Sequence, residues 1–191
     1  MIITIARQCG CGAIDIGKML SADYGVPFYT RKSLKDMASE CGVLEELDDF
    51  FEERPVDELL FAISAFGADE GPLHSKALDV LSEMIGRRDC IIIGRCGNYI
   101  FRRRPDLVSV FLSGRESERI KVIAAERRVP LAEAKDFVRD MDNSRVRYHK
   151  YYTHLQWGNS CDYDLCFDSL RLGCQKSVEL IERYIDSVGV K

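Results

Sequence analysis

The sequence predicts an α/β fold of three αβα layers, built on a parallel sheet of about five strands. Three observations carry that expectation. Cys90-Ile91-Ile92-Ile93 is apolar with no polar alternation, as in a central strand covered on both faces. Ile2-Ile3-Thr4-Ile5-Ala6 has the same character and runs into a turn containing Gly10 and Gly12. Between the strand-like segments lie helical stripes, and that alternation implies right-handed crossovers with helices on both faces of the sheet.

The elements follow in order. After the first strand, Ala13, Ile16, Leu20 and Tyr24 mark the apolar stripe of a helix. A short strand is expected near Pro27 to Tyr29. From Arg31 to Gly86 every segment is helical in character, so this stretch is expected to stand off the sheet as an insertion. The Cys90 strand comes next, then one from Leu107 to Leu112. Ser113, with Glu116 three residues later, has the form of a capping box that opens a helix through Ile120, Ile123 and Ala124. Pro130 suits the first position of a longer helix carrying Ala134, Phe137, Met141, Arg145, Tyr148 and Tyr152 at three- or four-residue spacing. A strand from Tyr163 to Phe167 and a helix with Val178, Ile181, Ile185 and Val188 complete the order.

A chain of 191 residues that is 46% hydrophobic suits one domain with a normal core. No apolar run approaches the ~20 residues needed to span a bilayer, so no membrane partner is expected. The N-terminus has no secretory signal pattern, which predicts a cytoplasmic protein whose eight cysteines remain thiols. No cysteines form a CxxC pair, and His74, His149 and His154 lack ligand spacing, so no direct metal site is expected. Cys9-Gly10-Cys11 reads more simply as small residues at a tight turn. A net charge of −4 argues against nucleic acid as a partner. The charge is uneven: Glu45 to Glu58 is acidic, whereas Arg87 to Arg128 is rich in arginine, which grips phosphate or carboxylate in bidentate fashion. The oligomeric state is left open, a homodimer included.

The end of the first strand has the layout of a phosphate-binding loop, in which backbone N–H groups and a helix N-terminus converge on an anion. Aligned with GxxxxGK followed by Ser or Thr, Arg7 takes the first glycine, Gly12 the second, Ala13 the lysine and Ile14 the hydroxyl position. Gln8, Cys9, Gly10, Cys11, Gly12, Ala13 and Ile14 are therefore the candidate phosphate-binding residues, and Arg7 is the natural substitute for the missing lysine. A second register, Gly12 to Lys18, also fits GxxxxGK, but Lys18 would fall inside the helix and Met19 replaces the hydroxyl. Gly94-Arg95-Cys96-Gly97 follows the central strand and places Arg95 at the carboxyl edge, where α/β sheets bind ligands. Arg127 and Arg128 end one helix, and Arg139, Asp142 and Arg145 lie on the next. Arginines on both arms resemble a lid over phosphates, although compensation of the helix dipole explains Arg127 and Arg128 equally well. Tyr148 and Tyr152 are assigned to packing, and Trp157 is left open.

Four segments together carry a resemblance: Ile3-Thr4-Ile5-Ala6-Arg7-Gln8 with Gly10 and Gly12; Ile91 through Gly94-Arg95-Cys96-Gly97-Asn98-Tyr99; Arg145 to Thr153 with Trp157; and Tyr163-Asp164 through Asp168-Ser169. In order and spacing they resemble the cytidylate kinase-like family of P-loop nucleotide kinases over nearly the whole chain. That resemblance implies a nucleoside monophosphate kinase-like organisation, with a core of residues 1–30, 87–125 and 160–191, a helical acceptor-binding insertion at 31–86 and a lid at 126–159. It implies ATP and Mg²⁺ as cofactors, small-molecule nucleotides as partners, and phosphoryl transfer to a nucleoside monophosphate or similar small phosphorylated acceptor. A nucleotide- or phosphometabolite-binding sensor without turnover is the alternative. Arg95 matches the arginine of the family's Gly-Arg-Asp, with Cys96 replacing the acid, and Arg31 lies near an arginine that touches the acceptor. Asp142 and Arg145 match the lid's Asp-x-x-Arg, with Arg139 upstream. The implied catalytic residues are Arg7, Arg139, Asp142 and Arg145, with Arg127 and Arg128 on the phosphates. Asp15 aligns near the usual threonine and would meet Mg²⁺ through water.

Overall fold

The computed structural model describes residues 1–51 and 73–190. Strands β1 (Ile2–Arg7), β2 (Phe28–Tyr29), β3 (Cys90–Ile93), β4 (Leu107–Ser113) and β5 (Leu165–Asp168) form one parallel sheet in the order β2-β3-β1-β4-β5. β1 pairs with β3 on one side and β4 on the other. The strand order therefore reverses at β1, so its carboxyl end lies at the crevice where parallel α/β sheets place their ligands.

Alternation along β1 divides the core. Ile3 and Ile5 pack with α1 (Ala13–Tyr24) and α9 (Cys174–Val188), alongside Ile91, Ile93, Val108 and Val110. Ile2 and Ile92 face the opposite layer, made of α2 (Arg31–Glu40), α3 (Leu44–Phe51) and α4 (Leu73–Ile85), with Leu34, Leu47, Phe50 and Leu81 between them. Burying each such Ile or Leu side chain contributes ~1.5–3 kcal/mol. The stretch expected to be a helical insertion carries α2, α3 and α4, with a turn at 41–43, and residues 52–72 of it lie outside the described residues.

A short helix, α5 (Gly97–Ile100), follows β3, and a helical hairpin, α6 (Glu116–Arg127) with α7 (Leu131–Thr153), follows β4. α7 is long enough to do two things. Its first turns pack Ala134 and Val138 against Ile123 of α6 and Cys9 of the loop, while Tyr148, Tyr151 and Tyr152 near its end return to the second core layer. A four-residue helix, α8 (Ser169–Leu172), connects β5 to α9. Among the described residues no helix is long and apolar enough to cross a membrane.

Three local expectations are corrected. The Ser113–Glu116 capping box does not form, because β4 continues through Ser113 to pair with Asp168, and the serine hydroxyl donates to the Phe167 carbonyl at 3.0 Å. Arg115 instead takes the N-cap of α6, without a side-chain cap. Pro130 is the N-cap of α7 and not its first residue. β5 begins two residues later than expected, since the Asp164 carboxylate accepts from both the backbone N–H and the hydroxyl of Ser109, each at 2.7 Å, just ahead of the strand.

Candidate active site

Between β1 and α1 the chain makes a tight loop that needs glycine at two positions. Gly10 (φ +83°) and Gly12 (φ +66°) are left-handed, and a Cβ at Gly10 would stand 2.9 Å from the Arg119 backbone oxygen. The loop is held from several sides. The Gly114 N–H donates to Gln8 Oε1 (3.1 Å), the Ser169 hydroxyl donates to the Cys11 carbonyl (2.8 Å), and Arg119 Nη1 donates to the Cys9 carbonyl (3.2 Å). The N–H groups of Cys11, Gly12, Ala13 and Ile14 take no acceptor among the described residues. Four open donors in series at the start of a twelve-residue helix favour an anion. Ala13, which the sequence aligns with the loop's lysine, is buried and brings no charge.

One loop donor already has an anion. The Cys9 N–H donates to Asp142 Oδ1 at 2.7 Å. The other oxygen of that carboxylate pairs with Arg119 at 2.6 Å, and Arg145 stands 3.5 Å from Oδ1. Arg119 Nε also donates to the Gly114 carbonyl at 3.0 Å, and Arg145 Nη1 donates to the Arg7 carbonyl at 3.1 Å. A carboxylate of α7 and two arginines therefore tie α6 and α7 to the loop. The sequence expectations did not single out Arg119. Its spacing of four from Ile123 puts it on the apolar side of α6, the same sign that marked Arg145 on α7.

Arg7 turns across the sheet edge towards β3. Gly94 is left-handed (φ +74°), and a Cβ there would collide with Arg7 Nη1, so the guanidinium lies against the glycine. It helps to line a cavity of about 40 Å³ with Thr4, Arg95, Arg145, His149 and Trp157, between the carboxyl ends of β1 and β3 and the later turns of α7. Arg95 is buried there, but Nη1 donates to the Phe50 carbonyl at 2.8 Å and its guanidinium lies 4.8 Å from the centre of the Tyr148 ring. The Tyr148 hydroxyl donates to the same carbonyl at 2.9 Å, so the pair fastens the end of α3 to the site. Trp157 packs edge-on against Phe111.

The remaining candidates lie outside the cavity lining. Arg139 is 57% exposed and pairs with Asp136 and Asp140 on its own helix. Arg127 stacks on Phe137 at 4.1 Å, and Arg128 closes α6 in the left-handed conformation. Arg31 is exposed at the start of α2, and Asp15 is exposed in the first turn of α1. On the other side of the loop, a groove of about 490 Å³ runs between α6 and the turn after β5, lined by Arg115, Glu118, Lys121, Val122, Asp168, Leu170 and Arg171.

Burial controls protonation here. It pushes the Cys11 thiol up to about 11 and raises Cys9 as well, so near neutral pH both are thiols, which are poor nucleophiles and metal ligands. Burial also pulls His149 down to about 4, against a smaller opposing pull from Asp162. The unfolded chain binds this proton more tightly, near pH 6.5, so stability is complete above that pH and falls as pH drops towards 4. Denaturant unfolding followed from pH 7 to pH 4.5 is expected to show a loss of about 2 kcal/mol that His149→Leu removes; equal slopes in the two proteins would refute it.

This fold is shared with solved proteins. The structure is similar to that of an uncharacterized protein from Eubacterium ventriosum, with 26% identity, a TM-score of 0.76 and 98% of each chain covered. A gluconokinase from Sinorhizobium meliloti has 13% identity and a TM-score of 0.55, over 97% of this chain and 94% of its own. A shikimate kinase from Aquifex aeolicus has 15% identity and a TM-score of 0.51, over 100% of this chain and 99% of its own. No curated protein matches the chain. The sequence model of the cytidylate kinase-like family matches residues 2–171, and the chain belongs to that family.

Proposed function

We propose that the protein is an ATP-dependent phosphotransferase acting on a nucleoside monophosphate or a similar small phosphorylated acceptor. The observation that carries this reading is the run of open N–H donors from Cys11 to Ile14 beside Arg7 and Arg145 at the carboxyl edge of the sheet. Phosphoryl transfer asks mainly for positioning and for positive charge on the moving group. The residues fit ATP. Its phosphates would lie on the loop from Gln8 to Ile14, and its nucleoside in the groove between α6 and the turn after β5. Arg7 lies between the loop and the cavity and would neutralise the transferring group, with Arg145 beside it. Arg95 and Arg31 would face the acceptor, Asp142 would hold α7 against the loop through the Cys9 N–H, and Arg127, Arg128 and Arg139 would contribute charge from the hairpin. Mg²⁺ supplies charge neutralisation on the phosphates when bound, and Asp15 would hold it through water, since Mg²⁺ keeps several waters and needs few protein ligands.

Two observations favour a sensor that binds without turnover: Ala13 removes the charge the loop normally supplies, and Asp142 occupies the Cys9 N–H. One experiment separates the readings. Purified protein is incubated with ATP, Mg²⁺ and a panel of nucleoside monophosphates, and ADP release is followed alongside the unfolding transition. Acceptor-dependent ADP release is the expected result. Stabilisation by ATP without turnover, about 2.7 kcal/mol at 100 times its Kd, supports the sensor; neither response sinks both.

A further inference from the structure

The cavity beside Arg7 contains polar groups that the fold leaves unused. Thr4 is 2% exposed and His149 3% exposed, yet Thr4 Oγ1, His149 Nε2 and Arg145 Nε have no hydrogen-bond partner among the described residues. Native structures leave few such atoms, and each is unfavourable in a low-dielectric interior. Here three of them line one cavity. Its position is deliberate in the sequence. Gly97, the first residue of α5, comes so close to Thr4 that a Cβ would stand 2.9 Å from the threonine methyl, so the glycine keeps the β1 side chain within reach of the cavity.

The chemistry of the lining favours one kind of ligand. No aspartate or glutamate is among the described lining residues, whereas Arg7, Arg95 and Arg145 are. Among the described residues the Thr4 hydroxyl and the Arg145 Nε–H are donors with nothing to donate to, and neutral His149 becomes a third in the tautomer that carries its proton on Nε2. The volume, about 40 Å³, holds roughly three water-sized atoms. A nucleoside would need α7 to move, whereas the three heavy atoms of a carboxylate, or the leading oxygens of a phosphate, would not.

We propose that this cavity is the subsite for the compact oxyanionic end, carboxylate or phosphate, of a small acceptor that is not a nucleoside. It rests on the phosphotransferase reading but puts a smaller acid in place of the nucleoside monophosphate as acceptor: the loop takes the donor, and Thr4, Arg145 and His149 take the acceptor's anion.

The test is calorimetric titration of the whole protein, saturated with ATP so that the loop is filled, using inorganic phosphate, glycolate and CMP as probes. Phosphate or glycolate is expected to bind, and the stronger of the two identifies the anion. Thr4→Val and His149→Leu are each expected to weaken that binding tenfold or more while leaving ATP affinity within twofold, and Thr4→Ser, which keeps the hydroxyl, is expected to restore it. Removing an unpartnered hydroxyl should also raise the melting temperature of Thr4→Val by a few degrees, which separates a lost ligand contact from a damaged fold. Failure of ATP itself to bind the parent protein would count against the phosphotransferase reading; the anion titrations are then run without it, and the subsite stands or falls on them. Anion binding unchanged in both variants, no anion binding at all, or CMP binding that alone depends on Thr4 and His149 would overturn the subsite.

Discussion

Replacing Arg119 with alanine is expected to lower stability by about 3–5 kcal/mol, the usual consequence of removing one partner from a buried ion pair. The side chains of Arg119 and Asp142 are 7% and 17% exposed, and the arginine makes three hydrogen bonds: to Asp142, to the Cys9 carbonyl and to the Gly114 carbonyl. Without it, the Asp142 carboxylate keeps, among the described residues, only the Cys9 N–H and the longer contact with Arg145 at 3.5 Å, and two carbonyls lose their donor. At about 2–4 °C per kcal/mol for a chain of this size, the melting temperature should fall by roughly 6–20 °C. Asp142→Asn keeps an oxygen for the Cys9 N–H and removes the charge, so it should be milder. In the double variant the two effects should fall short of adding by more than 1 kcal/mol, as expected for groups in direct contact. A loss under 1 kcal/mol for Arg119→Ala would mean that the hairpin contact is solvated and contributes little to holding the loop.

The parts of this arrangement that the sequence made legible are those set by local pattern. β3 could be recognised because Cys90 to Ile93 is apolar at every position, and all four residues are buried. The loop could be recognised because glycines at 10 and 12 separate a strand from a helical stripe, and both are left-handed. What local pattern could not supply is partnership across the chain. Asp142 meets Cys9 from 133 residues away, an encounter that depends on the path of the α6–α7 hairpin. Arg95 was expected at the mouth of the site, and it does line the cavity, but its hydrogen bond to Phe50 ties it to the packing of α3. The capping box failed for a related reason: Ser113 and Glu116 had the right spacing, but pairing of β4 with β5 claimed the serine first. The cavity polar groups were invisible because Thr4 looks like any strand residue until its neighbours are known.

Arg7→Ala is expected to reduce turnover by ~10²–10³, the scale seen when a single preorganised charge is removed from a transition state. No loop residue from Gln8 to Ile14 carries a charged side chain. The open N–H groups from Cys11 to Ile14 survive the substitution, so ATP affinity should fall much less than kcat, which marks an interaction realised mainly in the transition state. Gly94→Ala tests the same idea without touching the charge. Its Cβ would collide with Arg7 Nη1, and the left-handed backbone at +74° adds strain of its own. The guanidinium should be displaced and kcat should fall in parallel with Arg7→Ala. Arg7→Lys keeps the charge but loses the planar fork, so it should land between the parent and the alanine variant. Single-turnover rates and ATP affinities for the three variants decide the matter. If Arg7→Ala keeps full turnover while Gly94→Ala loses it, the glycine matters through the backbone alone, and the charge that replaces the missing lysine must come from Arg145 or from the arginines of the hairpin.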